Sequence, residues 1–254
     1  QGVSPMALIK TSNPALSENV FQGQPVSLED AMTLDGTVNK TAILLLCAVA
    51  TAAYAWHVFM QSHSGAAITP LLWGGLIGGF IFALITIFKK EWAPVTAPIY
   101  SLLEGLALGS LSAVFELRYP GIAMQSVAMT FGVMLVMLLA YRSHIIPVTQ
   151  KLRLGIVAAT GAIALFYIAE IVLSFFGIQF ATINGSGPIG IGFSIVVVAI
   201  AALNLVLDFD FIESGVRAHA PKYMEWYGAF GLMVTLVWLY LEILRLLSKI
   251  RSND

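Results

Sequence analysis

Apolar residues run through this chain in long unbroken blocks, without the short period of a surface helix or a half-buried strand. Seven such segments lie at about residues 41–60, 71–88, 95–115, 122–141, 155–176, 189–213 and 223–247. A helix needs about 20 apolar residues to cross a bilayer. Main-chain groups in hydrocarbon must be satisfied internally, which restricts spanning structures to helices and closed barrels. Blocks of this length predict an all-α integral membrane protein with seven transmembrane helices. The connectors carry turn and helix-ending residues, namely Ser64-Gly65, Pro70, Pro94, Pro120-Gly121, Pro147, the stretch 185–188 and Pro221. They are too short to hold a soluble domain.

Residues 1–40 break the pattern, being rich in Ser, Asn, Gln and Thr with turn signals at Asn13-Pro14 and Asp35-Gly36. They read as a polar N-terminal arm, largely outside the membrane and with room for a short surface helix. Gln1 to Pro5 reads as an appended segment before a native Met6, and no secretory signal peptide is expected ahead of the first span. The remainder, 41–250, forms the seven-helix domain. Composition agrees, since 58% of residues are hydrophobic and 11% charged, against about 25% charge in ordinary soluble domains.

Lys and Arg set the expected orientation. Of the 13 in the chain, nine fall in the arm and the second, fourth and sixth connectors, leaving Arg118, Arg245, Lys249 and Arg251 for the opposite side. This predicts a cytoplasmic arm and an external C-terminus; a re-entrant last segment would instead put both ends inside. Glycines at four-residue spacing, Gly74/Gly78, Gly75/Gly79 and Gly105/Gly109, predict close helix approach within the chain. Trp56, Trp73, Trp92, Tyr119, Tyr141 and Trp226 near the segment ends read as interfacial anchors.

The chemistry resides in acids within or beside the spans: Glu104, Glu170, Asp208, Asp210 and Glu242. Charges at membrane depth cost about 2.5–3.5 kcal/mol even on insertion scales, and they mark functional sites by default. Asn204 and Asp208, four apart, share a helix face, while Asp210 points about 200° away from Asp208. Asp208 is therefore the inward-facing candidate, with a helix-end cap as the plainer alternative; Asp210 and Glu213 are expected to meet water or basic loop residues. At ~1.5 Å per residue, Glu104, Asp208 and Thr235 form an expected inner layer. Glu170 and Glu242 form an outer one, where Glu242 and Arg245 at i,i+3 could equally be a structural ion pair. A carboxylate at depth beside a hydrogen-bonding neighbour can act as a proton switch, and its oxygens suit a hard cation such as calcium. Asp208 is thus also a candidate transient calcium ligand.

Other chemistry is poorly supported. The single cysteine, Cys47, excludes an intrachain disulfide or a thiolate cluster and reads as packing. His57 reads as a hydrogen-bonded histidine near a helix end. No His-Glu-x-x-His or Gly-x-Ser-x-Gly pattern occurs, and phosphate-cradling glycine loops are missing. No enzyme activity and no cofactor are expected.

Leu207-Asp208-Phe209-Asp210-Phe211-Ile212 and the last segment resemble the end of the Bax-inhibitor family, in which an aspartate closes the sixth helix. Ala229, Leu232, Leu244 and Arg245 follow the pattern of that family's seventh helix, and the stretch Glu104 to Gly109 is similar to its glycine region. Ser12-Asn13-Pro14 and the run Ala220 to Tyr227 resemble a longer bacterial branch. The resemblance implies seven helices around a central C-terminal one, a bacterial inner (plasma) membrane, and a pH-sensitive calcium leak governed by paired aspartates. Here Thr235 stands where the second aspartate is expected, so the pair is incomplete, and Glu104 is the expected substitute. The same resemblance allows a non-transporting regulator that binds a membrane protease or stress-response partner, with the arm as the discriminating feature.

Overall fold

The computed structural model describes residues 30–62, 64–177 and 181–252. Most of the polar arm, including the positions of the expected Asn13-Pro14 turn and short surface helix, lies outside the described residues, as does His63. Within them the chain forms α1 (Leu34–Ser62), α2 (Gly65–Phe88), α3 (Ala93–Arg118), α4 (Ile122–Arg142), α5 (Gln150–Ser174), α6 (Ala181–Asn184), α7 (Pro188–Arg217) and α8 (Met224–Arg251). All but the single-turn α6 are long and apolar enough to cross a membrane. No β-strand forms among the described residues.

Helix ends follow local chemistry. Ser64 caps α2 by accepting the Ala66 N–H at 3.3 Å, and the Thr149 hydroxyl accepts the Leu152 N–H at 3.2 Å to start α5. Pro188 and Pro94 occupy first-turn positions of α7 and α3, where no N–H is needed. The two boundaries that differ most from the sequence reading are the starts of α2 and α1. Pro70 lies inside α2 rather than in a connector, because the Ser64 cap starts the helix earlier. Likewise α1 begins at Leu34, with Asp35 in its first turn.

The last helix is the axis of the bundle. In α8, 72% of the most apolar stretch is buried, against 44% or less in every other span. It packs against α7, α1, α4 and α3, whereas α5 is held chiefly by α7. Glycine makes the tightest seams possible. A Cβ on Gly105 or Gly109 would run into the backbone of Ala48 or Ala52 in α1, and one on Gly75 would meet the Leu103 carbonyl of α3 at 2.5 Å. Gly74, by contrast, faces open space. The Gly75/Gly79 and Gly105/Gly109 stripes therefore serve packing within the chain, as expected, whereas Gly74 of the third expected pair does not.

The residues leading into α1 are tied to the start of α8. The Met32 N–H donates to the Ala220 carbonyl at 2.7 Å. Glu225, fully buried in the first turn of α8, pairs with Lys40 at 2.8 Å and accepts the Thr33 N–H and hydroxyl at 3.0 and 2.9 Å. The Arg251 guanidinium at the far end of α8 donates to the Pro120 carbonyl of the α3–α4 turn at 2.7 Å. The start of α1 and the end of α8 thus lie at opposite ends of the bundle. A continuous α8 replaces the re-entrant alternative.

Candidate functional site

The site is built where the second half of α7 slides under α8. Every residue from Asn204 to Phe209 is buried, and Leu205 and Phe209 pack in one cluster with Leu232, Leu236 and Leu239 of α8. Asp208 is 2% exposed and Asn204 6%, so both lie inside the bundle. The Asn204 amide donates to the Thr160 hydroxyl of α5 and to the Ile200 carbonyl of its own helix, each at 2.8 Å.

The contact between the Phe211 and Tyr227 rings at one end, and the bond from Lys249 to Ser194 at the other, fix the antiparallel register of α7 and α8. On that register Thr235 stands level with Asn204, and Asp208 with Gly231. Thr235 is buried and its hydroxyl points along α8 to the Gly231 carbonyl, 3.4 Å away. It therefore sits about one turn from the level of Asp208. Glu104 is oriented differently: a Cβ on Gly79 of α2 would lie 2.9 Å from its carboxylate oxygen. It is half-buried in the α2–α3 seam, and α3 packs on α1, α2, α8 and α4 rather than along α7. The Glu104 carboxylate thus lies against the glycine face of α2.

The other two acids of this region serve the helix end, as expected. Asp210 pairs with Arg153 at 2.6 Å, and Glu213 accepts the Tyr141 hydroxyl and faces Arg217 at 3.7 Å. The partner Arg153 belongs to the first turn of α5 rather than to a loop.

The expected outer site divides. Glu242, 2% exposed, accepts the Tyr167 hydroxyl at 2.9 Å and pairs with Arg245 at 3.3 Å. Arg245 also donates to the Tyr167 oxygen at 2.6 Å, closing a triad between α5 and α8. Glu170 accepts instead the side-chain amide of Asn184 in α6. His57 bonds to Gln61 at 2.9 Å within α1. Among the described residues no three His, Cys, Asp or Glu side chains converge on one point.

Sequence reasoning missed Thr160, Tyr167 and Glu225. Each is a hydrogen-bonding side chain in or beside an apolar run, and that rarity was the available signal. Chemically, the seam holds a carboxyl group whose gain or loss of a proton changes the charge of a close-packed, water-poor layer, where electrostatic effects are strong.

Fold and site together define a multi-pass helical membrane protein with an acid, Asp208, buried within α7. The model of the "Bax inhibitor 1 like" family matches residues 13–252, nearly the whole chain, and the protein belongs to that family. Comparison with curated proteins and with solved structures returns no match.

Proposed function

We propose that the protein is a non-enzymatic, pH-sensitive leak channel or exchanger for cations, calcium foremost, in the bacterial inner membrane with its arm cytoplasmic. Asp208 is the titrating gate. The observation that supports this reading best is its burial within α7, one turn from the Asn204–Thr160 bond that joins α7 to α5. Protonation of Asp208 changes the charge at the point where α7 is fastened to both neighbours, so a shift of α7 or α5 is the natural response. Thr235 and Asn204 offer oxygens in the same layer, and Glu170 and Glu242 supply negative charge on the outward side, tempered by Arg245. Calcium flux into proteoliposomes is expected to vary with pH for the wild type and to lose that dependence in Asp208→Asn. A flux indifferent to pH, or an unchanged profile in the variant, overturns the gate.

A second reading, a non-transporting regulator of a membrane protease or stress-response partner, draws support from the clamp of Thr33 and Lys40 on Glu225. That clamp connects whatever the arm binds to the central helix. If removal of residues 6–35 abolishes the cellular phenotype while reconstituted flux persists, the regulator reading prevails.

A further inference from the structure

The end of the bundle where α3 and α8 finish holds a pocket of about 530 Å³ that the proposed gate does not use. Its wall joins Arg118 and Tyr119 from the end of α3, Ser186 from the α6–α7 connector, and Ser248, Lys249 and Ser252 from the end of α8.

Positive charge collects here, and Arg118, Lys249 and Arg251 form no ion pair among the described residues. Lys249, 6% exposed, donates to the Ile183 carbonyl at 2.8 Å, the Gly190 carbonyl at 3.1 Å and the Ser194 hydroxyl at 3.0 Å, all neutral. Glu242 and Glu170, the carboxylates within its electrostatic reach, bond elsewhere, to Tyr167 and Arg245 and to Asn184. Arg251 likewise donates to neutral acceptors, the Pro120 carbonyl at 2.7 Å and the Gln125 side chain at 2.8 Å. Arg118 lies over the Tyr119 ring at 5.7 Å and makes no ion pair or hydrogen bond among the described residues. A buried cation held only by neutral groups is costly, and a counter-anion offsets that cost.

Donor geometry narrows the anion. The serine hydroxyls are engaged, Ser248 with the Arg245 carbonyl, Ser252 with that of Lys249, and Ser186 with Ser252. Among the described lining residues the free donors are therefore the forked guanidinium of Arg118, the Tyr119 hydroxyl and the second N–H of the Asn184 amide, and a planar fork matches the paired oxygens of a phosphate. Position points the same way. Val114 and Leu117, 46% and 68% exposed, form an apolar lip immediately before Arg118 at the end of a span. Such a junction of apolar belt and cation lies at the depth of lipid phosphates.

We propose that this pocket binds a phosphate anion, with Arg118 as its principal ligand and Lys249 as the fixed charge behind it. The phosphate belongs either to an anionic lipid headgroup or to a free ion, and the experiment separates the two. The full chain in maltoside micelles is titrated with dioleoylphosphatidylglycerol, dioleoylphosphatidylcholine or inorganic phosphate, read by native mass spectrometry and thermal unfolding. One phosphatidylglycerol should be retained per chain, roughly tenfold more weakly by Arg118→Gln, a loss expected for a charge-assisted contact. Arg217→Gln, a basic control at the opposite end, should leave retention unchanged. A thermal shift with inorganic phosphate that Arg118→Gln abolishes, without lipid retention, assigns the site to the free ion. Equal weakening in both variants, unaltered binding in Arg118→Gln, or binding of neither probe by the wild type overturns the proposal. Ligand-free unfolding of Arg118→Gln should match the wild type, because the side chain is exposed.

Discussion

Asn204 of α7 donates its side-chain amide to the Thr160 hydroxyl of α5 at 2.8 Å, one helical turn from Asp208. The Arg153–Asp210 pair and the Tyr167 triad hold α5 towards its two ends, and this bond fastens its middle to the helix that carries the buried acid. Thr160→Val keeps the shape and removes the hydroxyl. Interhelical hydrogen bonds in membranes contribute about 0.6–1.7 kcal/mol, which for a chain of this size corresponds to a Tm lower by about 2–6 °C. Thermal unfolding in detergent checks the value, and a Tm equal to that of the wild type would show that α5 is fastened by other means.

Glu104 and Asp208 should separate functionally. Because the Glu104 carboxylate lies against Gly79 of α2, Glu104→Gln is expected to keep the pH response of calcium flux that Asp208→Asn loses. Parallel proteoliposome profiles of the two variants test this. Loss of the response in both would return Glu104 to the gate.

The glycine seams are expected to tolerate no added carbon. Gly109→Ala forces a Cβ against the Ala52 backbone, with the nearest α-carbon at 2.6 Å, and should cost about 1–3 kcal/mol as overpacking. Gly74→Ala meets open space and should leave stability near that of the wild type. The informative quantity is the difference in Tm between the two variants.

Breaking the clamp at the base of the arm should also be costly. Glu225→Ala leaves Lys40 and the Thr33 hydroxyl and N–H without their common acceptor, a loss of about 1.5–3 kcal/mol for bonds to a charged group. Gly36→Ala should reproduce part of the effect, since its Cβ would overlap the Glu225 carboxylate. In both variants protease sensitivity ahead of α1 should rise and the unfolding midpoint fall.

Much of this architecture is legible in the sequence alone. Seven long apolar runs in a solvent that cannot bond to the backbone leave helices as the economical outcome. The four-residue spacing of Asn204 and Asp208, with Asp210 nearly opposite, was enough to assign one acid to the core and the other to the helix end. Four-residue glycine spacing announced the close seams in the same way. What only the tertiary structure decided is which helix faces which. Spans that are apolar all round carry no amphipathic stripe to record their orientation. Glu104 thus faces α2 rather than α7, Tyr167 joins Glu242 and Arg245, and Lys249 finds acceptors more than 50 residues away in the chain. Those pairings arise from packing around α8, whose polar side chains had to find partners wherever the bundle brought them.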